Sequence, residues 1–141
     1  MAENGANQCL FCRIARRDLP AEIIYADDKI TAFLDINPCA VGHTVVVPNR
    51  HASTMLGLND EETADFFVGV KKTLALIDKS LRPDGFTLGI NHKPAGGQAV
   101  DHLHFHIIPR FKGDGGGSLH SVVHNPPTKG LEEVRKIITG E

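Results

Sequence analysis

The sequence predicts an α+β domain, a mostly antiparallel sheet of five strands with two main helices on one face. Three observations point there. The chain has 141 residues, enough for one compact domain with its own core. Its apolar periodicity gives the order helix, strands, helix, strands, tail, with no regular β-α-β alternation that would signal a parallel sheet. Several segments alternate apolar and polar residues with the period of a half-buried strand.

Taken in order, residues 1–8 are small and polar and read as a frayed, flexible N-terminus. Cys9 to Arg17 places Leu10, Phe11 and Ile14 on one helical face and is closed by Pro20. Two short strands, Glu22 to Ala26 and Lys29 to Leu34, flank an Asp27-Asp28 turn. Pro38 to Gly42 is a loop, and the β-branched run His43 to Val47 is a buried strand. Asn59-Asp60-Glu61-Glu62 resembles a capped, acidic helix start. Phe66, Phe67, Val70, Leu74 and Ile77 then recur at helical spacing to about Leu81. Pro83-Asp84-Gly85 turns into a strand over Phe86 to Ile90, and His92 to Gly97 is a loop. Leu103 to Ile108 is the fifth strand, Gly113 to Gly117 is flexible, and Leu131 to Ile138 forms a short terminal helix. The divisions are therefore 1–8, a domain over 9–112, and a variable tail over 113–141.

Composition narrows the function. The formal net charge of −2 provides no basic field for nucleic acid. No apolar run approaches membrane-spanning length, and the start lacks a secretory signal, so the expected location is cytoplasmic, with neither a nucleic-acid nor a membrane partner. Three cysteines are too few for a disulfide framework. Cys9 and Cys12 have the spacing of half a zinc site; a redox pair or two core cysteines are the alternatives, and the missing thioredoxin-like pattern lowers the redox reading. Cys39 reads as a passive loop or buried thiol. The chain also carries eight histidines against one tyrosine and no tryptophan.

The histidines concentrate in Asp101-His102-Leu103-His104-Phe105-His106-Ile107-Ile108-Pro109-Arg110. On a strand His102, His104 and His106 share one face at roughly 6–7 Å intervals, while Leu103, Phe105 and Ile107 turn to the core. Each imidazole has two polar nitrogens that need partners when buried, so three side by side do little for stability and point to chemistry. A solvated strand face or an adventitious metal-binding run is the alternative. His92, His120 and His124 read as surface residues.

This segment resembles the His-φ-His-φ-His-φ-φ signature of the histidine triad (HIT) family, with φ apolar. Gly97-Gln98-Ala99-Val100 resembles the family's Gly-Gln-Ser/Thr-Val, and Asn91 sits where the family has Asn. Phe33-Leu34-Asp35-Ile36-Asn37-Pro38, Gly42-His43-Thr44-Val45-Val46-Val47-Pro48 and Cys9-Leu10-Phe11-Cys12-Arg13-Ile14 resemble further family segments, so the likeness covers about residues 8–111 and looks closest to the Hint-like (protein kinase C inhibitor-like) branch.

The resemblance implies a HIT-like fold and a purine nucleotide hydrolase or transferase of the phosphoramidase kind. His104 is then the nucleophile that forms a nucleotidyl-histidine and releases a nucleoside monophosphate. His106 donates to phosphate oxygens and His43 supports the active-site histidines. Asn91 and Gln98 hold phosphate oxygens or the leaving group, with backbone N–H groups near Gly96 and Gly97 close to the phosphate. Asp35 accepts from the ribose hydroxyls, although its place before Asn37-Pro38 equally suits a turn cap. Leu10, Phe11, Ile14, Phe33 and Ile36 line an apolar purine slot, or are simply core. Ala99 departs from the pattern, since the family's hydroxyl is missing there. The resemblance also implies a structural zinc site of Cys9, Cys12, His51 and His102, no organic cofactor, and a homodimer. The alternatives are a dinucleoside polyphosphate hydrolase or phosphorylase, a nucleotide-binding regulatory module with little turnover, and a zinc protein whose histidines only bind metal.

Overall fold

The computed structural model describes residues 8–141, so the expected flexible N-terminus lies, apart from Gln8, outside the described residues. The chain runs α1 (Leu10–Ala15), β1 (Ile23–Ala26), β2 (Ile30–Leu34), β3 (Thr44–Pro48), α2 (Asp60–Leu81), β4 (Gly85–Ile90), β5 (Phe105–Arg110) and α3 (Leu131–Thr139). The five strands form one sheet in the order β1-β2-β3-β5-β4, and every adjacent pair is antiparallel. The Asp27 carboxylate shapes the β1–β2 turn by accepting from the N–H groups of Lys29 and Ile30 at 2.8 and 2.9 Å.

The helix start at Asn59 is a full capping box. The Asn59 side chain accepts from Glu62 N–H at 2.8 Å, and Glu62 accepts from Asn59 N–H at 3.0 Å. From there α2 runs 22 residues and buries Phe66, Val70 and Ile77 against Ile30, Ala32, Val46, Leu103, Phe105 and Ile107. Gly69 lets α2 approach the sheet closely, since a Cβ there would stand 2.6 Å from Ile30 Cγ1.

The helices are not confined to one face. A second core of Phe11, Cys12, Ile14, Phe33, Val45 and Val47 lies under α1. In β3, Val46 belongs to one core and Val45 and Val47 to the other, so this strand is buried on both sides. The physical reason is the apolar face of α1, which is too short to stand alone and needs its own patch of sheet.

The histidine strand also differs from expectation. It spans Phe105–Arg110 rather than Leu103–Ile108. His102 N–H bonds Val100 O at 2.9 Å and Leu103 N–H bonds Ala52 O at 2.7 Å, so residues 102–104 precede the ladder. Pro109 continues the strand because β3 pairs with β5 only as far as Thr44↔Ile107, and no β3 partner requires the missing N–H. The alternation of faces survives: Leu103, Phe105 and Ile107 all enter the α2 core, while His102 and His104 are buried on the other side.

Candidate active site and metal centre

Between α1 and the sheet lies a cavity of about 520 Å³, in the range of small-molecule sites. Its apolar wall includes Leu10, Phe11, Ile14, Phe33, Ile36 and Val45; its polar end presents Asp35, Asn91, Gly97, Ala99, His104 and His106. No lysine or arginine lines it among the described residues. Of the expected slot residues, Phe11, Ile14 and Phe33 are buried, whereas Ile36 is 88% exposed at the rim. Leu19, Pro20, Ala21, Leu34, Asn37 and Val100 also line the cavity; Leu34, Asn37 and Val100 fall in the family-like segments, but no sequence signal singles any of the six out as a lining residue.

Hydrogen-bond partners fix the imidazole tautomers, because a backbone N–H can only donate and a carbonyl can only accept. His104 Nδ1 lies 2.7 Å from His102 O. It therefore carries the proton, and Nε2 is the unprotonated nitrogen of a ring that lines the cavity. Cys39 N–H donates to His43 Nδ1 at 3.0 Å. Neutral His43 then carries its proton on Nε2, 2.9 Å from His106 Nδ1. His106 accepts there and keeps its own proton on Nε2. The result is a relay, from Cys39 N–H through His43 to His106, that ends in an N–H donor beside the nucleophile candidate; the His104 and His106 rings are 5.0 Å apart.

The electrostatics support neutral rings. Burial, aided by the His104 and His43 rings and opposed by Asp35, pushes His106 down to about 4. Burial also lowers His43, against the pull of the Asp35 carboxylate, whose Oδ2 is 3.6 Å from His43 Nε2.

Other expected residues have mixed placements. Asp35 lines the cavity, and its Oδ1 also accepts from Asn37 N–H at 2.8 Å, so the turn cap is present as well. The Gln98 side chain is engaged with the loop. Its Oε1 accepts from Lys93 N–H at 2.7 Å, and its Nε2 donates to Ser53 O at 2.7 Å and Val100 O at 3.0 Å. Gln98 thus braces the loop that carries Gly97 and Ala99 and is not among the lining residues. Gly97 sits at φ +96°, where a side chain is strained, and packs on Asn91. Cys39 is exposed, and its contribution is the backbone N–H. No feature of the sequence marks a backbone donor of this kind. His92, His120 and His124 are exposed.

Behind the cavity, Cys9, Cys12, His51 and His102 bring four ligand atoms within 4.8 Å of one another. His102 Nδ1 is 3.3 Å from Cys9 Sγ, 3.4 Å from Cys12 Sγ and 3.2 Å from His51 Nδ1; His51 Nδ1 is 3.3 Å from Cys12 Sγ. A tetrahedral zinc ion with ordinary bond lengths requires about 3.3 Å between two nitrogens and about 3.5 Å between nitrogen and sulfur. The donor chemistry agrees. His102 Nε2 donates to Pro48 O at 2.9 Å, which leaves its Nδ1 lone pair aimed at the other three atoms. Burial, with Cys9 beside it, pushes the Cys12 thiol up to about 12, so a cation at the centre is what would make it a thiolate. The sequence motif Cys9-x-x-Cys12 supplies two ligands from one turn of α1; the histidines come from the loop after β3 and the approach to β5.

The HIT domain family model matches residues 16–113. An uncharacterized HIT-like protein of Methanocaldococcus jannaschii is 43% identical over 94% of this chain and 99% of its own. An adenosine 5′-monophosphoramidase of Schizosaccharomyces pombe is 39% identical over 72% of this chain and 74% of its own. The crystal structure of a HIT-family member from Bacillus subtilis superposes with a TM-score of 0.81 at 34% identity, covering 94% of both chains. With a family model covering most of its length and relatives alike in sequence and fold, this chain belongs to the HIT family.

Proposed function

We propose that the protein is a purine nucleotide hydrolase or transferase of the phosphoramidase kind, acting through His104. The observation that carries this reading is the 2.7 Å bond from His104 Nδ1–H to His102 O, which leaves Nε2 free on a cavity-lining ring. The base occupies the slot under Phe11, Ile14 and Phe33, and Asp35 Oδ2, the oxygen not engaged by Asn37 N–H, accepts from the ribose. His104 Nε2 attacks the α-phosphorus and forms an N–P bond as the P–N bond to the leaving group breaks; the leaving nitrogen takes a proton from water in the open cavity and departs as the neutral amine. The nucleotidyl-histidine is cationic at the ring, and His102 O stabilises it through Nδ1–H. His106 Nε2–H donates to the phosphoryl oxygen as charge builds there. Water then attacks phosphorus and the N–P bond breaks with its electron pair going to Nε2; the water's proton passes to solvent, which returns the one used in the first step, the nucleoside monophosphate is released and neutral His104 is restored. The similarity to a monophosphoramidase supports this leaving-group class.

Cys9, Cys12, His51 and His102 hold a structural zinc ion in this reading. Bound there, the ion supplies charge compensation for the thiolates and a cross-link between α1 and the catalytic segment. The protein works as a homodimer: β4 is an edge strand with neither proline nor lysine, and Phe67, Val68 and Leu76 leave apolar surface exposed on α2. A solution mass equal to the 15.3 kDa chain would refute the dimer. The free thiols of Cys9, Cys12 and Cys39 suit a reducing cytoplasm.

The test is AMP release from adenosine 5′-phosphoramidate by wild type and His104→Ala. Release by wild type with loss in the variant is expected. Equal release by both would end the assignment of His104.

A further inference from the structure

We propose that His102 is a positioning residue for His104, and that the four-atom cluster it shares with Cys9, Cys12 and His51 determines how well it positions the nucleophile. This inference rests on the reading of His104 as nucleophile.

The nucleophile's tautomer depends on one atom, His102 O, 2.7 Å from His104 Nδ1. That carbonyl lies outside the sheet ladder, because β3–β5 pairing begins at Val46↔Phe105. Its location is therefore set by what anchors residue 102. The anchors are the Leu103 N–H, which shares the carbonyl's peptide plane and bonds Ala52 O at 2.7 Å, the His102 N–H to Val100 O, and, on the fully buried side chain, Nε2–H to Pro48 O and Nδ1 within the cluster. Phe11, between Cys9 and Cys12 in sequence, packs edge-on against both rings, with centroids 6.0 Å from His102 and 5.1 Å from His104. An ion bound by the cluster thus fixes the carbonyl through the His102 ring and braces the His104 ring through α1. Without the ion, nothing ties the His102 ring to His51 Nδ1, 3.2 Å away, or to the two sulfurs, and the ring that carries the anchor moves.

The perturbation is removal of the ion from wild type by chelation and its return as zinc(II), with His51→Ala as a second route. His51 does not line the cavity and lies on neither α1 nor the catalytic segment, so its loss weakens the cluster without touching nucleotide contacts. Cobalt(II) titrated into His51→Ala reports occupancy by its visible absorption, on protein whose circular dichroism stays native. Two readouts follow occupancy: kcat for the phosphoramidate, and the 15N shifts of the His104 ring, which separate the Nδ1–H tautomer from the Nε2–H tautomer. The inference expects kcat to fall about ten- to hundredfold on metal loss, the range for lost outer-sphere support. It also expects the Nε2–H tautomer to grow in the same proportion and the metal to restore both. A lower melting temperature with unchanged ring shifts and unchanged kcat in the folded protein would overturn it, leaving the cluster a staple only. Failure of the parent reading looks different: His104→Ala would retain turnover whatever the metal state.

Discussion

Replacing His43 with alanine tests the relay that sets the His106 donor. His43 is 4% exposed and links Cys39 N–H, at 3.0 Å, to His106 Nδ1, at 2.9 Å. The substitution leaves Cys39 N–H without its acceptor, at a cost of about 1–3 kcal/mol of stability. It also frees His106 to hold its proton on Nδ1, which turns a lone pair toward the phosphate. A hydrogen bond in this setting is worth about 1.5–3 kcal/mol, which at 1.4 kcal/mol per tenfold predicts a loss in kcat of about ten- to hundredfold. KM should move less, because His43 does not line the cavity. The assay is steady-state AMP release from adenosine 5′-phosphoramidate at neutral pH. His43→Gln sharpens it, since the glutamine amide can still donate to His106 Nδ1 and should recover part of the lost rate. If His43→Ala keeps wild-type kcat, or if His43→Gln is no better than alanine, the relay does not control His106 and the tautomer argument fails.

Three further outcomes are expected. His43 and His106 are held below the ordinary histidine value of 6.5, so the unfolded chain binds protons that the folded chain refuses; stability is complete above about pH 6.5 and falls as pH drops toward 4. For His106 the displacement to about 4 corresponds to at most about 3 kcal/mol, less what water screens at its half-buried ring; urea midpoints that stay flat from pH 7 to 4 would contradict this. Gly69→Val forces a side chain onto Ile30, whose Cγ1 is already 2.6 Å from the modest Cβ position, and should lower stability by about 1–3 kcal/mol in thermal unfolding while leaving turnover of the folded protein unchanged. Ala99→Ser places a hydroxyl at the polar end of the cavity, and one added hydrogen bond of about 0.5–1.5 kcal/mol should raise kcat/KM several-fold; no change would mean the backbone alone serves the phosphate at that position.

Periodicity carried most of the fold. The limits of α2, from the Asn59 cap to Leu81, follow from short-range signals that tertiary contacts reinforce. The opposite-face placement of α1 was not legible, because an apolar helical stripe says that a face is buried and not against which side of a sheet. The strand start at Phe105 was hidden for a related reason: side chains go on alternating faces through residues 102–104 even though the backbone there bonds to Val100, Ala52 and the His104 ring instead of β3. At the site, the triad was plain in the sequence, since three imidazoles in alternation have no ordinary structural use. The Gln98 brace and the Cys39 N–H were not, because both depend on which backbone groups the loops bring near. The pairing of Cys9-x-x-Cys12 with His51 and His102 needed either a family likeness or coordinates, as ligands 39 and 90 residues away from Cys12 leave no local spacing to read.

The absence of any lysine or arginine from the cavity lining among the described residues has a consequence for traffic through the site. A site that grips phosphate with a fixed cation gathers anions from solution and then must release a doubly charged product from the same grip. On the proposed reading the phosphate here would meet imidazole and backbone donors, with the Asp35 carboxylate nearby. Such a cavity gives up long-range capture, so substrates arrive by diffusion and apolar seating of the base, and their arrival is nearly indifferent to salt. In exchange, on the proposed reading, a monophosphate product would face no fixed cation in the lining when it leaves.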